Sequence, residues 1–205
     1  MLQDLIDESL KKLEDFDPTT LLPDLSLANE GAKKDVLDKT GTAYYSWFPG
    51  FLELLKSKQI VELGGAMGVG DICMLNSFYK GFELWSITLE EHGLEFAYIE
   101  KDKYPNFHPV VGDDLDLDNW PKDLDLFKTD LWFVDSLHTE NQLRQELDLY
   151  KPFFKKDAII LFDDIFLPEL EPVWQDLENI IPIKEKHSLP LHHSGFGCVQ
   201  IGEKE

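Results

Sequence analysis

The chain has 205 residues, 43% of them hydrophobic and 12% aromatic, enough to bury the core of one domain with an added arm and too apolar for a disordered chain. Acidic side chains number 40 against 19 basic ones, and the formal charge of -21 argues against nucleic acid and anionic membranes as partners. The start has no basic segment leading into an apolar one, and no apolar run approaches the ~20 residues of a membrane helix, so a soluble, cytoplasmic protein is expected. Cys73 and Cys198 match no metal spacing and read as buried free thiols.

In chain order, Leu2, Leu5, Ile6, Leu10 and Leu13 recur at helical spacing, and Asp17-Pro18 and Leu22-Pro23 then break the pattern. A second amphipathic segment covers 43–56, rich in Tyr44, Tyr45, Trp47 and Phe48 and interrupted by Pro49-Gly50. From Gln59 onward strands and helices alternate. Strands are expected at 60–63, 83–88, 108–111, 131–134, 158–162, 183–187 and 197–201, with helices at 70–79, 91–101, 140–154 and 170–180. The nearly continuous apolar runs Ile60–Leu63 and Ala158–Phe162 suit strands covered on both faces. Only a loop joins the last two strands, which predicts an antiparallel end to the sheet. The expected architecture is a doubly wound α/β fold. It has a mostly parallel seven-stranded sheet with an antiparallel last strand in a three-layer αβα sandwich. Residues 1–58 form a helical arm or lid, and residues 59–205 form the main domain.

The first strand runs Ile60-Val61-Glu62-Leu63 into Gly64-Gly65-Ala66-Met67-Gly68-Val69-Gly70. Glycine permits positive φ and lets a ligand approach the backbone closely. The spacing is wrong for a dinucleotide fingerprint, because Ala66 stands where a second glycine is needed, and no Gly-Lys-Ser/Thr follows for a P-loop. The pattern Glu62-x-Gly64-x-x-x-Gly68-x-Gly70 resembles motif I of the Rossmann-like S-adenosylmethionine-dependent methyltransferases, over roughly residues 59–202. The resemblance implies that Glu62, Gly64, Gly65, Ala66 and Gly68 wrap the methionine half of that cofactor. It also implies a ribose-binding acid after the second strand. Glu90 lies 20 residues past Gly70, as the ribose acid of a nucleotide site should, with Thr88 at the family's more usual place. After the third strand, Asp113 of Gly112-Asp113 would approach the adenine amino group.

The fourth strand ends in Asp135, followed by His138, and the fifth ends in Asp163-Asp164. Neighbouring strands would bring three carboxylates together at the carboxyl edge of the sheet, where such folds bind ligands. Like charges so close call for a cation or a shared proton, and oxygen donors suit Mg2+ or Ca2+. Asp135, Asp163 and Asp164 resemble the metal-ligand set of the catechol-type O-methyltransferases, which implies an ion that orients and acidifies a substrate hydroxyl. Asp135-x-x-His138 with Phe162-Asp163-Asp164 also resembles a bacterial family of small-molecule methyltransferases. On that reading Asp135 borders the cofactor and orients His138, the general base. Both readings stay open at this point. The His192-His193 pair reads as a solvated loop, and the Tyr44, Tyr45 and Trp47 stripe as core. The combined expectation is transfer of a methyl group from S-adenosylmethionine to a hydroxyl of a small molecule, without or with a divalent ion. A non-catalytic cofactor-binding or interaction module is the alternative.

Overall fold

Strand side chains alternate between two apolar clusters, so the sheet is covered on both faces. The computed structural model describes residues 1–89 and 93–203. Its strands are β1 (Gln59–Leu63), β2 (Glu83–Thr88), β3 (Phe107–Val111), β4 (Leu131–Val134), β5 (Ile159–Phe162), β6 (Ile183–Leu189) and β7 (Phe196–Ile201). They form one sheet in the order β3-β2-β1-β4-β5-β7-β6. β1 runs parallel to β2 and β4, β2 to β3, and β4 to β5. β7 is antiparallel to both β5 and β6, so the expected antiparallel end is present, with the last strand inserted inside the edge strand.

The longer helices are α1 (Leu2–Asp15), α2 (Glu30–Leu37), α3 (Tyr44–Leu55), α4 (Val69–Leu75), α5 (Glu140–Tyr150) and α6 (Glu171–Ile180). Ile60, Phe133 and Leu161 pack with Ile6, Val36, Phe48 and Met74, which places α1 to α4 over one face. Val61, Trp132 and Ile160 pack with Leu143, Leu147, Trp174 and Leu177 of α5 and α6 on the other. The result is the expected three-layer sandwich. No described helix is long and apolar enough to cross a membrane, and both cysteines are buried and free.

Two expected elements differ. α3 runs without interruption through Pro49 and Gly50. An internal proline costs a helix roughly 3 kcal/mol, but Trp47, Phe48, Phe51 and Leu52 are all fully buried from this one helix. That burial outweighs the break, and Gly50 leaves room for the side chain of Lys12 on α1. The helix expected over 91–101 is missing from its described part. Residues 95–98 form a turn, and Lys101–Lys103 make a single 3-10 turn. Phe96 adopts φ 55, outside helical space, and its N–H donates to Ala66 O at 2.9 Å, while Tyr98 N–H donates to Met67 O at 3.1 Å. The segment spends its hydrogen bonds on the glycine turn instead of on itself.

Candidate active site

β1 delivers the chain to the carboxyl edge of the sheet, where the glycine turn reverses it into α4. The N–H groups of Gly64 and Gly65 both donate to Ile87 O on β2, at 2.9 and 3.1 Å. Gly64 (φ +100) would drive a Cβ into the Asp135 backbone, and a Cβ on Gly65 would meet Ser86 Oγ and Phe96. The turn is bare because neighbours on three elements crowd it from behind. Ala66 also takes a left-handed conformation (φ 44), and Gly68 (φ +92) is the residue from which α4 starts.

A cavity of about 360 Å³ lies over this turn, within the size range of small-ligand sites. Glu62, Gly64, Gly65, Ala66 and Asp135 line it, together with Tyr45 of α3, Asn29 and Asp35 at α2, and Tyr98. Gly68 does not. Asp35, Glu62 and Asp135 supply three carboxyl groups, and among the described residues no lysine, arginine or histidine lines the cavity. Such a lining favours a ligand with net positive charge. Asn29 Nδ2 donates to Tyr98 Oη at 2.7 Å and ties α2 to the β2–β3 connection above the turn. A larger cavity, about 470 Å³, opens between α1 and α3 and contains none of the strand-end acids.

Beside the cavity β4 and β5 pair Val134 with Phe162, so Asp135 and Asp163 leave the sheet next to each other, as the sequence predicts. Their surroundings then diverge. His138 stands between Asp135 and Asp164, with Nε2 3.2 Å from Asp135 Oδ1 and Nδ1 3.4 Å from Asp164 Oδ2. Burial pushes the Asp135 carboxyl up to about 8, and the hydrogen bond to Asp135 raises His138. Aspartate and histidine therefore keep a proton between them through neutral pH.

On the other side, Asp163, Asp164 and His192 offer one ligand atom each within 4.8 Å of one another. His192 Nδ1 lies 2.7 Å from Asp163 Oδ1 and 3.1 Å from Asp164 Oδ1. These aspartates raise His192 to about 10 in spite of its burial, and the positive ring in turn lowers Asp164. Asp164 adopts φ 58 and its N–H donates to Asp163 Oδ1, a local turn that aims both carboxyls at the same ring.

The remaining sequence candidates lie elsewhere. Asp113 is exposed, and its carboxylate accepts the N–H of Leu115 at 2.9 Å. The buried acid of that loop is Asp114, bonded to Gln142 at 2.8 Å. Glu90 lies outside the described residues. His192 is the residue that sequence reasoning missed. It is a half-buried partner of two aspartates, held against the ring of Tyr44 at 5.5 Å, whereas His193 is exposed and near Gly41 O. Trp47 is core, its Nε1 donating to Ser9 Oγ at 2.8 Å.

Residues 61–165 match the family model described as a methyltransferase domain. The chain belongs to that family. The match begins in β1 and ends past Asp164, so it holds the glycine turn and the acids of β4 and β5. No curated protein matches this methyltransferase by sequence. Among solved structures it resembles the SAH-bound Podospora anserina methyltransferase, at 15% identity and TM-score 0.63 over 99% of this chain and 97% of that one. It also resembles the Bacillus cereus O-methyltransferase in complex with SAH, at 14% identity and TM-score 0.61 over 90% and 91%. A third likeness is to the MycE methyltransferase of the mycinamycin biosynthetic pathway, in complex with Mg, SAH and mycinamycin VI, at 12% identity and TM-score 0.56. It spans 84% of this chain and 52% of that one. The fold of this methyltransferase is the Rossmann-like fold of the S-adenosylmethionine-dependent enzymes.

Proposed function

We propose that the protein transfers a methyl group from S-adenosylmethionine to a hydroxyl oxygen of a small molecule. The observation that carries this reading is the His138–Asp135 pair at the edge of the cavity over the glycine turn: Asp135 borders the cavity, and His138 is held 3.2 Å behind it. The cofactor has a sulfonium and an ammonium against one carboxylate, a net cation that suits a cavity lined by Asp35, Glu62 and Asp135. The solved structures in complex with SAH support the same ligand.

In the reaction the acceptor oxygen forms a bond to the methyl carbon as the S–CH3 bond breaks, and SAH leaves as product. The hydroxyl proton passes to His138, which must first be neutral, and Asp135 orients the ring and stabilises its charged form. The rest is proximity and alignment of the two reactants, worth several orders of magnitude in rate. Within residues 1–58, the part that closes over the cavity as a lid is the stretch carrying Asn29 and Asp35, with Tyr45 beside it.

A divalent cation fits Asp163, Asp164 and His192. Asp164 Oδ1 is buried with no hydrogen bond of sound geometry, an open donor beside two others. These three residues would hold the ion, with Asp135 beyond the His138 ring. A bound ion supplies a lowered pKa at the acceptor hydroxyl. The mixed oxygen and nitrogen donors suit Mn2+ better than Mg2+.

Calorimetric titration with SAH tests the reading. Binding is expected for the parent protein and not for Gly70→Arg, which fills the cavity from its own lining, and SAH release is expected with hydroxylated acceptors. A parent protein that binds no SAH, or one whose Gly70→Arg variant binds it equally well, would sink the proposal.

A further inference from the structure

A second pair of acids lies behind the glycine turn, with no part in the transfer chemistry above. Asp71, in the first turn of α4, is 0% exposed, and Glu62, near the end of β1, is 2% exposed. Ser86 Oγ donates to Glu62 Oε2 at 2.7 Å. Neither oxygen of Asp71 makes a hydrogen bond of sound geometry; the groups beside it are Glu62 and the Ser86 hydroxyl, which is already given to Glu62. A Cβ on Gly65 would sit 3.2 Å from Asp71 Oδ2, and one on Gly70 3.1 Å from Glu62 Oε1. The two carboxyls are therefore directly beneath the bare backbone that borders the cavity.

The titratable groups around them offer no relief. Cys73 on α4 is a thiol kept neutral by burial, and Asp135 at the end of β4 is an acid that shares a proton with His138 and supplies no positive charge. Among the described residues the cavity lining contributes Asp35 and Tyr45 but no cation. Two ionised carboxylates sharing one hydroxyl donor and no described cation in one buried spot are strongly unfavourable, and a single proton converts one of them into a donor for the other. Burial and the neighbouring Glu62 both raise Asp71 well above the ordinary carboxyl range. Of the two, only Glu62 reaches the cavity.

We propose that Asp71 is a positioning residue: it keeps a proton, donates it to Glu62, and so fixes Glu62 as one negative charge under the turn, aimed at the cationic end of the cofactor. The cofactor half of this inference rests on the proposed function, and the shared proton does not. With Ser86 as the second donor, the charged oxygens of Glu62 are anchored from two sides, which holds the carboxylate in one rotamer before the ligand arrives.

Three measurements on the full chain test it, using Asp71→Asn, which keeps a neutral donor, and Asp71→Ala, which does not. Infrared difference spectra at neutral pH should show a protonated carboxyl band in the parent that Asp71→Asn lacks. The parent should lose thermal stability relative to Asp71→Asn as pH rises from about 5 to about 9, because an acid held protonated by the fold costs stability above its unfolded pKa. SAH affinity should stay within about threefold in Asp71→Asn and fall about tenfold or more in Asp71→Ala. Identical infrared bands, parallel stability curves, or an Asp71→Asn protein as weak as Asp71→Ala would each overturn the inference. A parent protein that fails to bind SAH overturns the positioning role, and the band and the pH slope then still decide the shared proton.

Discussion

His192 Nδ1 lies 2.7 Å from Asp163 Oδ1, and the ring is raised to about 10 by Asp163 and Asp164. At neutral pH His192 is therefore an imidazolium, a cation already standing between the two carboxylates that suit a metal. An incoming divalent ion must displace its proton, so binding should release about one proton and tighten as pH rises toward 10. Titrating Mn2+ calorimetrically in two buffers of different ionisation enthalpy measures the proton count. A count of zero would show that His192 is not a ligand.

The same ring contributes to stability with a definite pH dependence. Its folded pKa of about 10 is above the ordinary histidine value of 6.5, so the contribution is complete below about pH 6.5 and is lost as pH rises through 10. His192→Gln should cost about 2 kcal/mol at pH 6, the size of a hydrogen bond between charged groups, and clearly less near pH 10.5. Denaturant unfolding at the two pH values checks it; an equal loss at both would mean that the ring acts only by packing.

For His138 the expectation is kinetic. A base has to be unprotonated, and Asp135 raises this one, so kcat should climb with pH through a value above the ordinary histidine range. His138→Ala should lower kcat by about 10²-fold or more while SAH binding changes by less than about twofold. Unchanged kcat in the variant would remove His138 from the mechanism.

Glycine at position 64 is required by two independent facts, φ +100 and the Asp135 backbone behind it. Gly64→Ala should cost about 3 kcal/mol and abolish SAH binding. Gly93 has a positive φ of +68 but, among the described residues, nothing within 4 Å of its would-be Cβ, so Gly93→Ala should cost only about 1 kcal/mol. Thermal unfolding of the two variants separates collision from backbone strain.

Tyr98→Phe removes the bond that Asn29 makes across the top of the cavity. Stability should drop by about 1 kcal/mol, and SAH should dissociate faster with little change in association, as stopped-flow binding would reveal. An unaltered dissociation rate would argue that α2 does not close over the ligand.

Local pattern was enough for the strands, the antiparallel end of the sheet, the glycine turn and the acids that leave β1, β4 and β5, because each depends on a short apolar run and the residue after it. Period and apolarity are properties of neighbouring residues, and so is the preference of glycine for positive φ. Tertiary packing decided the rest. Pro49 sits inside a helix because Trp47, Phe48 and Phe51 bury completely around it. Residues 93–98 are not helical because Phe96 and Tyr98 bond to the glycine turn, which follows β1 far back in the chain. His192 reaches Asp163 and Asp164 only because β7 folds back beside β5, and Asp71 meets Glu62 only because α4 returns over β1. The acids were legible one by one. Which of them share a proton or a histidine depends on burial and on distances between segments far apart in sequence, and only the folded chain sets those.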